Sequence, residues 1–263
     1  MREVVTMWKY TKMVVLTALT AGVFAAILIP LKGIPIIPGS TELRPAAVIP
    51  VVFGILFGPA GAWGSAFGNL IGDFFGTLGI GSIFGFVGNF FFSLVAYKVY
   101  KPSIDNITNN SKNKRLKPKE FIKFASVGFL ASCVCAEIIA WGLEVVGLLP
   151  FSWLGSIIFV NNFVMNVLIG PFILVLLYPR VMKWDLLWTD IMEKNDLPSS
   201  PIPFLGKLLI WVGGVGGLVA GISISTGVYG SSLFSTTAGT VGSMVVLAVT
   251  PCLLVLLIGC FLA

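Results

Sequence analysis

Long apolar runs, broken by short polar or Pro- and Gly-rich segments, occupy nearly the whole chain. A spanning helix needs roughly 20 mostly apolar residues, and the pattern predicts such helices near 10–30, 44–58, 60–78, 83–101, 120–146, 154–179, 206–228 and 239–262. The run at 44–58 is short and sits between Pro45 and Pro59. Polar stretches fall at 101–119 (KPSIDNITNNSKNKRLKPK) and between Lys183 and Pro203, the latter carrying Asp185, Asp190, Glu193, Asp196 and a Pro-Ser-Ser-Pro tetrapeptide. The second stretch reads as a cytoplasmic linker over 183–205. It divides a six-helix membrane domain, 1–182, from two additional transmembrane helices, 206–263. The fold class expected is all-α, a polytopic transmembrane helical bundle.

Composition agrees with the pattern. The 263 residues are 57% hydrophobic and 11% charged, with a mean hydropathy of +0.99, whereas about 25% charged is usual in a soluble domain. Orientation follows from the basic residues. With the N-terminus inside, every Lys and Arg except Lys32 and Arg44 falls in a cytoplasmic segment, as the positive-inside rule requires. The expected location is therefore the cell membrane, multi-pass, with both termini cytoplasmic. The net charge of +6 suits loops facing anionic lipid rather than nucleic acid. The first run is longer than a signal-peptide core and has no A-x-A-like cleavage site, so it reads as a retained helix. The Asn106 and Asn109 sequons lie in a cytoplasmic loop and carry no meaning there.

Enzymatic chemistry finds little support. The chain has no histidine, which removes the commonest general base and metal ligand, and it has no G-x-x-x-x-G-K-[ST] phosphate loop. Cys133, Cys135, Cys252 and Cys260 lie in apolar runs and read as small buried hydrophobes. No catalytic set, metal site or cofactor is expected.

Against this background the polar residues inside apolar runs stand out. Asp73, Glu137 and Glu144 are three of only 11 acidic residues, and an ionisable group at the bilayer centre costs at least about 2.5–3.5 kcal/mol. Asn69, Asn89, Asn161, Asn162 and Asn166 lie in neighbouring runs. Glu137, Trp141 and Glu144 are spaced i, i+4, i+7 on one helix face, as Asn69 and Asp73 are at i, i+4. The topology puts these groups in the outer half of the membrane. There they would suit a small polar, heteroaromatic or cationic solute stacked on Trp141. Three acids against one nearby arginine favour a solute with an amine or a cationic ring. The competing reading is interhelical hydrogen bonding that holds the bundle together. Outside, Glu42 and Arg44 in the Pro-rich loop KGIPIIPGSTELRP either close over a ligand or pair with each other. Small residues mark two close-packing faces: Ala18, Ala21, Gly22, Ala25 and Ala26 on the first helix, and Gly213, Gly217 and Gly221 on the seventh, the latter expected to pack on the eighth.

Over about residues 8–182 the chain resembles the substrate-binding membrane subunits (S components) of energy-coupling factor (ECF) vitamin transporters. The resemblance rests on the small-residue first helix (TALTAGVFAA), the Pro-rich outer loop, the run FGPAGAWGSAFGNLIGDFFGTL, then FGFVGNFFFSLVAYKVYK with a basic loop after it, and two further spans with polar outer halves. It implies a six-helix subunit that captures a vitamin-like or nucleobase-like solute at its outer side. It further implies docking on a transmembrane coupling subunit driven by two ATPases, through an Ala-x-x-x-Ala face. Ala21 and Ala25 fit that motif, and Ala18, Gly22 and Ala26 offer an overlapping one. The two C-terminal helices depart from the family pattern. The site expected is Asn69, Asp73, Asn89, Glu137, Trp141, Glu144, Asn161, Asn162 and Asn166, with Arg44 at its gate. The alternative is a stand-alone ion- or proton-coupled secondary transporter in which Asp73 or Glu137 carries the proton; a third reading is a non-transporting scaffold.

Overall fold

The computed structural model describes residues 1–31, 35–37, 41–42, 44–100, 117–198, 200, 202–228 and 244–263, with the side chains at 35–37 and 41–42 left aside. Ten α-helices are described: α1 (Glu3–Thr6), α2 (Thr11–Leu31), α3 (Val48–Phe57), α4 (Pro59–Asp73), α5 (Gly81–Val99), α6 (Pro118–Val145), α7 (Phe151–Lys183), α8 (Trp188–Ile191), α9 (Pro203–Ser225) and α10 (Val245–Leu262). Two short antiparallel strands, β1 (Pro35–Ile37) and β2 (Thr41–Glu42), pair between α2 and α3. Among the described residues, six helices are long and apolar enough to cross a membrane: α2, α5, α6, α7, α9 and α10. The protein is a multi-pass helical bundle.

The predicted spans 44–58 and 60–78 are shorter than expected. Arg44 precedes a 3₁₀ turn (Pro45–Ala47) that leads into the ten-residue α3, and α4 has 15 residues. The break between them is Gly58, whose φ of 54° lies in the left-handed region that glycine enters without a Cβ penalty. Pro59 then starts α4 at a position where its missing N–H costs nothing. Every residue of α3 is buried, so this helix forms the inside of the bundle and presents no face to lipid.

Close backbone approach organises the rest. Lipid tails are as apolar as Leu, so helices in a membrane associate through packing rather than through hydrophobic burial. α4 packs along α2 with Gly64, Gly68 and Gly72 lying against Thr20, Phe24 and Leu28. A Cβ at Gly68 would sit 2.9 Å from the carbonyl oxygen of Ala21, closer than van der Waals contact permits. α5 packs on α4, α6 on α5 and α7 on α6, while α3 touches α4, α5 and α7. α9 and α10 pair with each other and lean on α6 and α7. The α9 glycines therefore do not all face α10. Gly213 does, Gly217 lies between Glu137 of α6 and Cys252 of α10, and Gly221 rests on Phe151 of α7.

Both ends of the described chain lie at one pole. Met1, Glu3, Ser200 and Ala263 line a common hollow, and the Ser200 hydroxyl bonds the Leu262 carbonyl. Lys98, near the end of α5, reaches the same pole through a 3.1 Å ion pair with Glu3. The opposite end of α5, Gly81, is about 26 Å away at 1.5 Å per residue, and the candidate site lies there.

Candidate functional site

A cavity of about 350 Å³ opens at the pole away from the termini. One side is polar and comes from the start of the α3 segment, the end of α4, the turn before α5 and the first turn of α5: Arg44, Asn69, Asp73, Thr77 and Ser82. The facing wall is apolar and comes from α6 and α7, with Ile139, Leu143, Leu154 and Ile158.

The polar side is one hydrogen-bonded row. The Arg44 guanidinium donates to Asn69 Oδ1, Asn69 Nδ2 donates to Asp73 Oδ2 at 3.1 Å, and the Thr77 hydroxyl donates to Asp73 Oδ1 at 3.0 Å. Asn69, Asp73 and Thr77 recur every four residues, so the helical period aligns them, and the backbone N–H of Thr77 bonds the Asp73 carbonyl to continue that turn. Gly85 of α5 makes room for the row, because a Cβ there would stand 2.8 Å from Asn69 Nδ2. Arg44 is held from behind, its backbone N–H donating to Asn161 Oδ1 at 3.3 Å. Arg44 is 8% exposed and Asn69 2%, so both work in a largely dehydrated setting where hydrogen bonds strengthen.

The remaining residues expected at the site are placed elsewhere. Glu144 is fully buried and accepts a 2.6 Å bond from the Phe151 backbone N–H, capping the positive end of α7. Asn166 Nδ2 donates to the carbonyls of Ala47 and Asn162, tying α7 to the head of α3. Asn89 bonds the Gly85 carbonyl one turn back on its own helix, and Asn162 lies beside Cys135 of α6. Glu137 and Trp141 face the C-terminal pair. The indole N–H of Trp141 donates to Thr250 Oγ1 of α10 at 3.0 Å, and its ring meets Phe84 edge-on. Glu137 is fully buried against Gly217, and neither carboxyl oxygen has a hydrogen-bond partner among the described residues. The side chain of Glu42 lies outside the described residues, as do Lys32 and most of the loop at 101–119.

The structure thus brings Arg44, Asn69 and Asp73 together, with Asn161 behind them, and separates them from the Glu137–Trp141–Glu144 stripe. Thr77, Ser82, Gly85 and the apolar wall were not anticipated. The i, i+4, i+8 spacing would have found Thr77; nothing in the sequence distinguishes Gly85 from the many other helical glycines.

A larger cavity, about 630 Å³, lies at the terminal pole among Tyr97, Lys98, Tyr178, Trp188 and Lys207. Its lysines are engaged within the protein, Lys98 with Glu3 and Lys207 Nζ with the Val99 carbonyl. It touches none of the polar residues placed in the outer half by the topology, so the smaller cavity is the better candidate.

On the flank of α2 the small residues divide. Ala21 and Ala25 are buried, whereas Ala18, Gly22 and Ala26 are exposed. A Cβ at Gly22 would meet nothing within 4 Å, so this stripe is an open, smooth surface. It lies on α2, away from α9 and α10, which pack on α6 and α7.

No curated protein and no solved structure matches the chain. One family model does match, over residues 14–179, and it is that of the QueT transporter. The matched segment runs from the first turn of α2 nearly to the end of α7, contains the whole cavity and stops short of α9 and α10. With its helical bundle and the cavity at Arg44, Asn69 and Asp73 inside that match, the chain belongs to the QueT transporter family, a family of ECF S components.

Proposed function

We propose that the protein captures a micronutrient in the cavity between α4, α5, α6 and α7 and passes it to an ECF module for uptake. The observation that carries this reading is the Arg44–Asn69–Asp73 row lining a cavity of about 350 Å³, a volume within the usual range of small-molecule sites. A polar row facing an apolar wall fits a flat solute, with its edge to the row and its face to the wall. QueT-type S components handle a queuosine precursor, and the resemblance read in the sequence implies a vitamin-like or nucleobase-like solute. The positive-inside rule supports an orientation with the termini and the larger cavity on the cytoplasmic side and the capture site outside.

The partners are a transmembrane coupling subunit and two ATPases. The docking surface is the exposed Ala18–Gly22–Ala26 stripe rather than Ala21 and Ala25, which are already buried against α4. Glu137 is turned away from the cavity, so it supplies nothing to a proton-coupled cycle at this site. Reconstitution tests the reading. Proteoliposomes holding the chain and an ECF module should accumulate a radiolabelled queuosine precursor only with ATP inside the module's compartment. Accumulation by the chain alone under a proton gradient would contradict the proposal.

A further inference from the structure

Away from the cavity, the seam between the C-terminal pair and the core holds a buried acid. α9 meets the core through Gly214, Gly217 and Gly221, which receive Val134, the Glu137 carboxyl and Phe151 in turn. Glu137 Oε1 lies where a Cβ at residue 217 would stand. The side chain is fully buried, and among the described residues neither carboxyl oxygen has a hydrogen-bond partner. No cation stands beside it either. On its own helix it faces Cys133 one turn back and Trp141 one turn on, whose indole N–H is committed to Thr250. α10 brings Cys252, α7 meets α9 through Phe151 and the Ser152–Ser225 pair, and α9 has no titratable side chain from 210 to 221. A carboxylate there would give up its hydration with neither donor nor cation in return, whereas a neutral carboxyl fits the glycine socket at far lower cost.

We infer that Glu137 is a proton-binding latch: its carboxyl docks in the Gly217 socket with the proton on, and release of that proton to water undocks α9 and α10 from α6. A glutamine would fill the same socket with no proton to lose, so the acid is what lets the seam respond to pH. The pair can part from the core as a unit, because α9 and α10 are close-packed on each other at Gly206, Gly213 and Gly259. Proton binding favours the docked form, so docking is firm while the acid is neutral and weakens as the pH rises. None of these seam residues lines the capture cavity, so the inference stands apart from the capture reading.

Two measurements on the full chain in liposomes test this. Infrared difference spectroscopy of the wild type against Glu137→Gln reports the proton, and maleimide labelling of Cys252, located by mass spectrometry, reports the seam. At neutral pH the wild type should show the carbonyl stretch of a protonated carboxyl that Glu137→Gln lacks. On alkaline titration that band should fade. Cys252 labelling, taken relative to Glu137→Gln to cancel the thiol's own pH dependence, should rise with it, by about tenfold per pH unit while the open form is minor. Cys135, fully buried in the core, should stay unlabelled throughout. Absence of the band at neutral pH overturns the inference, as does a band that persists until the protein unfolds. A labelling ratio that stays flat while the band fades overturns it too, and so does Cys135 labelled in step with Cys252, which reports unfolding in place of undocking.

Discussion

Three carboxylates in apolar surroundings have three different jobs, and their neighbours set each one. Asp73 accepts from Asn69 and Thr77 at the cavity; Glu144 caps α7; Glu137 is packed against a glycine on another helix. Glu144→Ala should therefore destabilise the protein by about 1–3 kcal/mol, the value of a charged cap on a buried N–H, and leave solute affinity unchanged. Thermal unfolding in detergent alongside calorimetry checks both halves of that expectation. The sequence shows that each of these residues is costly and which helix face it occupies. The Asn69–Asp73 half of the site was legible for that reason, since i, i+4 spacing suffices to align the two. The Glu137–Trp141–Glu144 stripe is a single face only in projection. Glu137 and Trp141 reach α9 and α10, whereas Glu144, a turn or two further on, reaches the start of α7. Which neighbour a face meets depends on helix packing, and that is not written in the helix itself.

Among the elements, glycine spacing decides who packs on whom. The α4 glycines take in α2, so Ala21 and Ala25 are used internally while Ala18, Gly22 and Ala26 remain outward. Both faces were visible in the sequence as small-residue patterns; only the glycines of the partner helix tell them apart. Gly22→Leu should leave binding and stability intact but abolish ATP-driven uptake with the ECF module, whereas Ala21→Leu should lower the melting temperature. A Gly22→Leu variant that transports normally would remove α2 as the docking element. The C-terminal pair, anticipated from two apolar runs, covers the flank of α6 that carries Glu137. Deleting 201–263 should expose that acid to lipid at a cost of at least about 2.5–3.5 kcal/mol, and Glu137→Leu in the shortened chain should recover much of the loss. Melting curves of the two shortened chains, compared with the full protein, decide the matter.

Seen whole, the molecule has a pole that holds the Arg44–Asn69–Asp73 cavity and a terminal pole, and the second is fastened by a buried charge. Lys98 and Glu3 pair at 3.1 Å with their side chains almost completely enclosed, and the Tyr97 hydroxyl donates to the same carboxylate. Burial works against the ionised Glu3, but Lys98 and the N-terminal amine outweigh it and hold its carboxyl below the usual range. The stabilisation is thus complete above the ordinary carboxylate range and is lost as the pH falls through the lowered value. Lys98→Met should cost about 1–3 kcal/mol at neutral pH, because the buried Glu3 carboxylate loses its lysine but keeps the N-terminal amine and the Tyr97 hydroxyl, and the difference from wild type should shrink as the solution is acidified. The long helical spans were readable from the apolar runs. The compactness of α3 and α4 was not, because the Gly58–Pro59 reversal shortens two segments that composition alone extends to membrane length. The central claim is that solute binds at the Arg44–Asn69–Asp73 row, and titration of the isolated full chain with a queuosine precursor tests it most directly. Saturable one-to-one binding that Asn69→Ala abolishes and Glu137→Gln preserves is the predicted result. Binding that survives Asn69→Ala but disappears with Glu137→Gln would place the site at the α6–α9 seam and contradict the account.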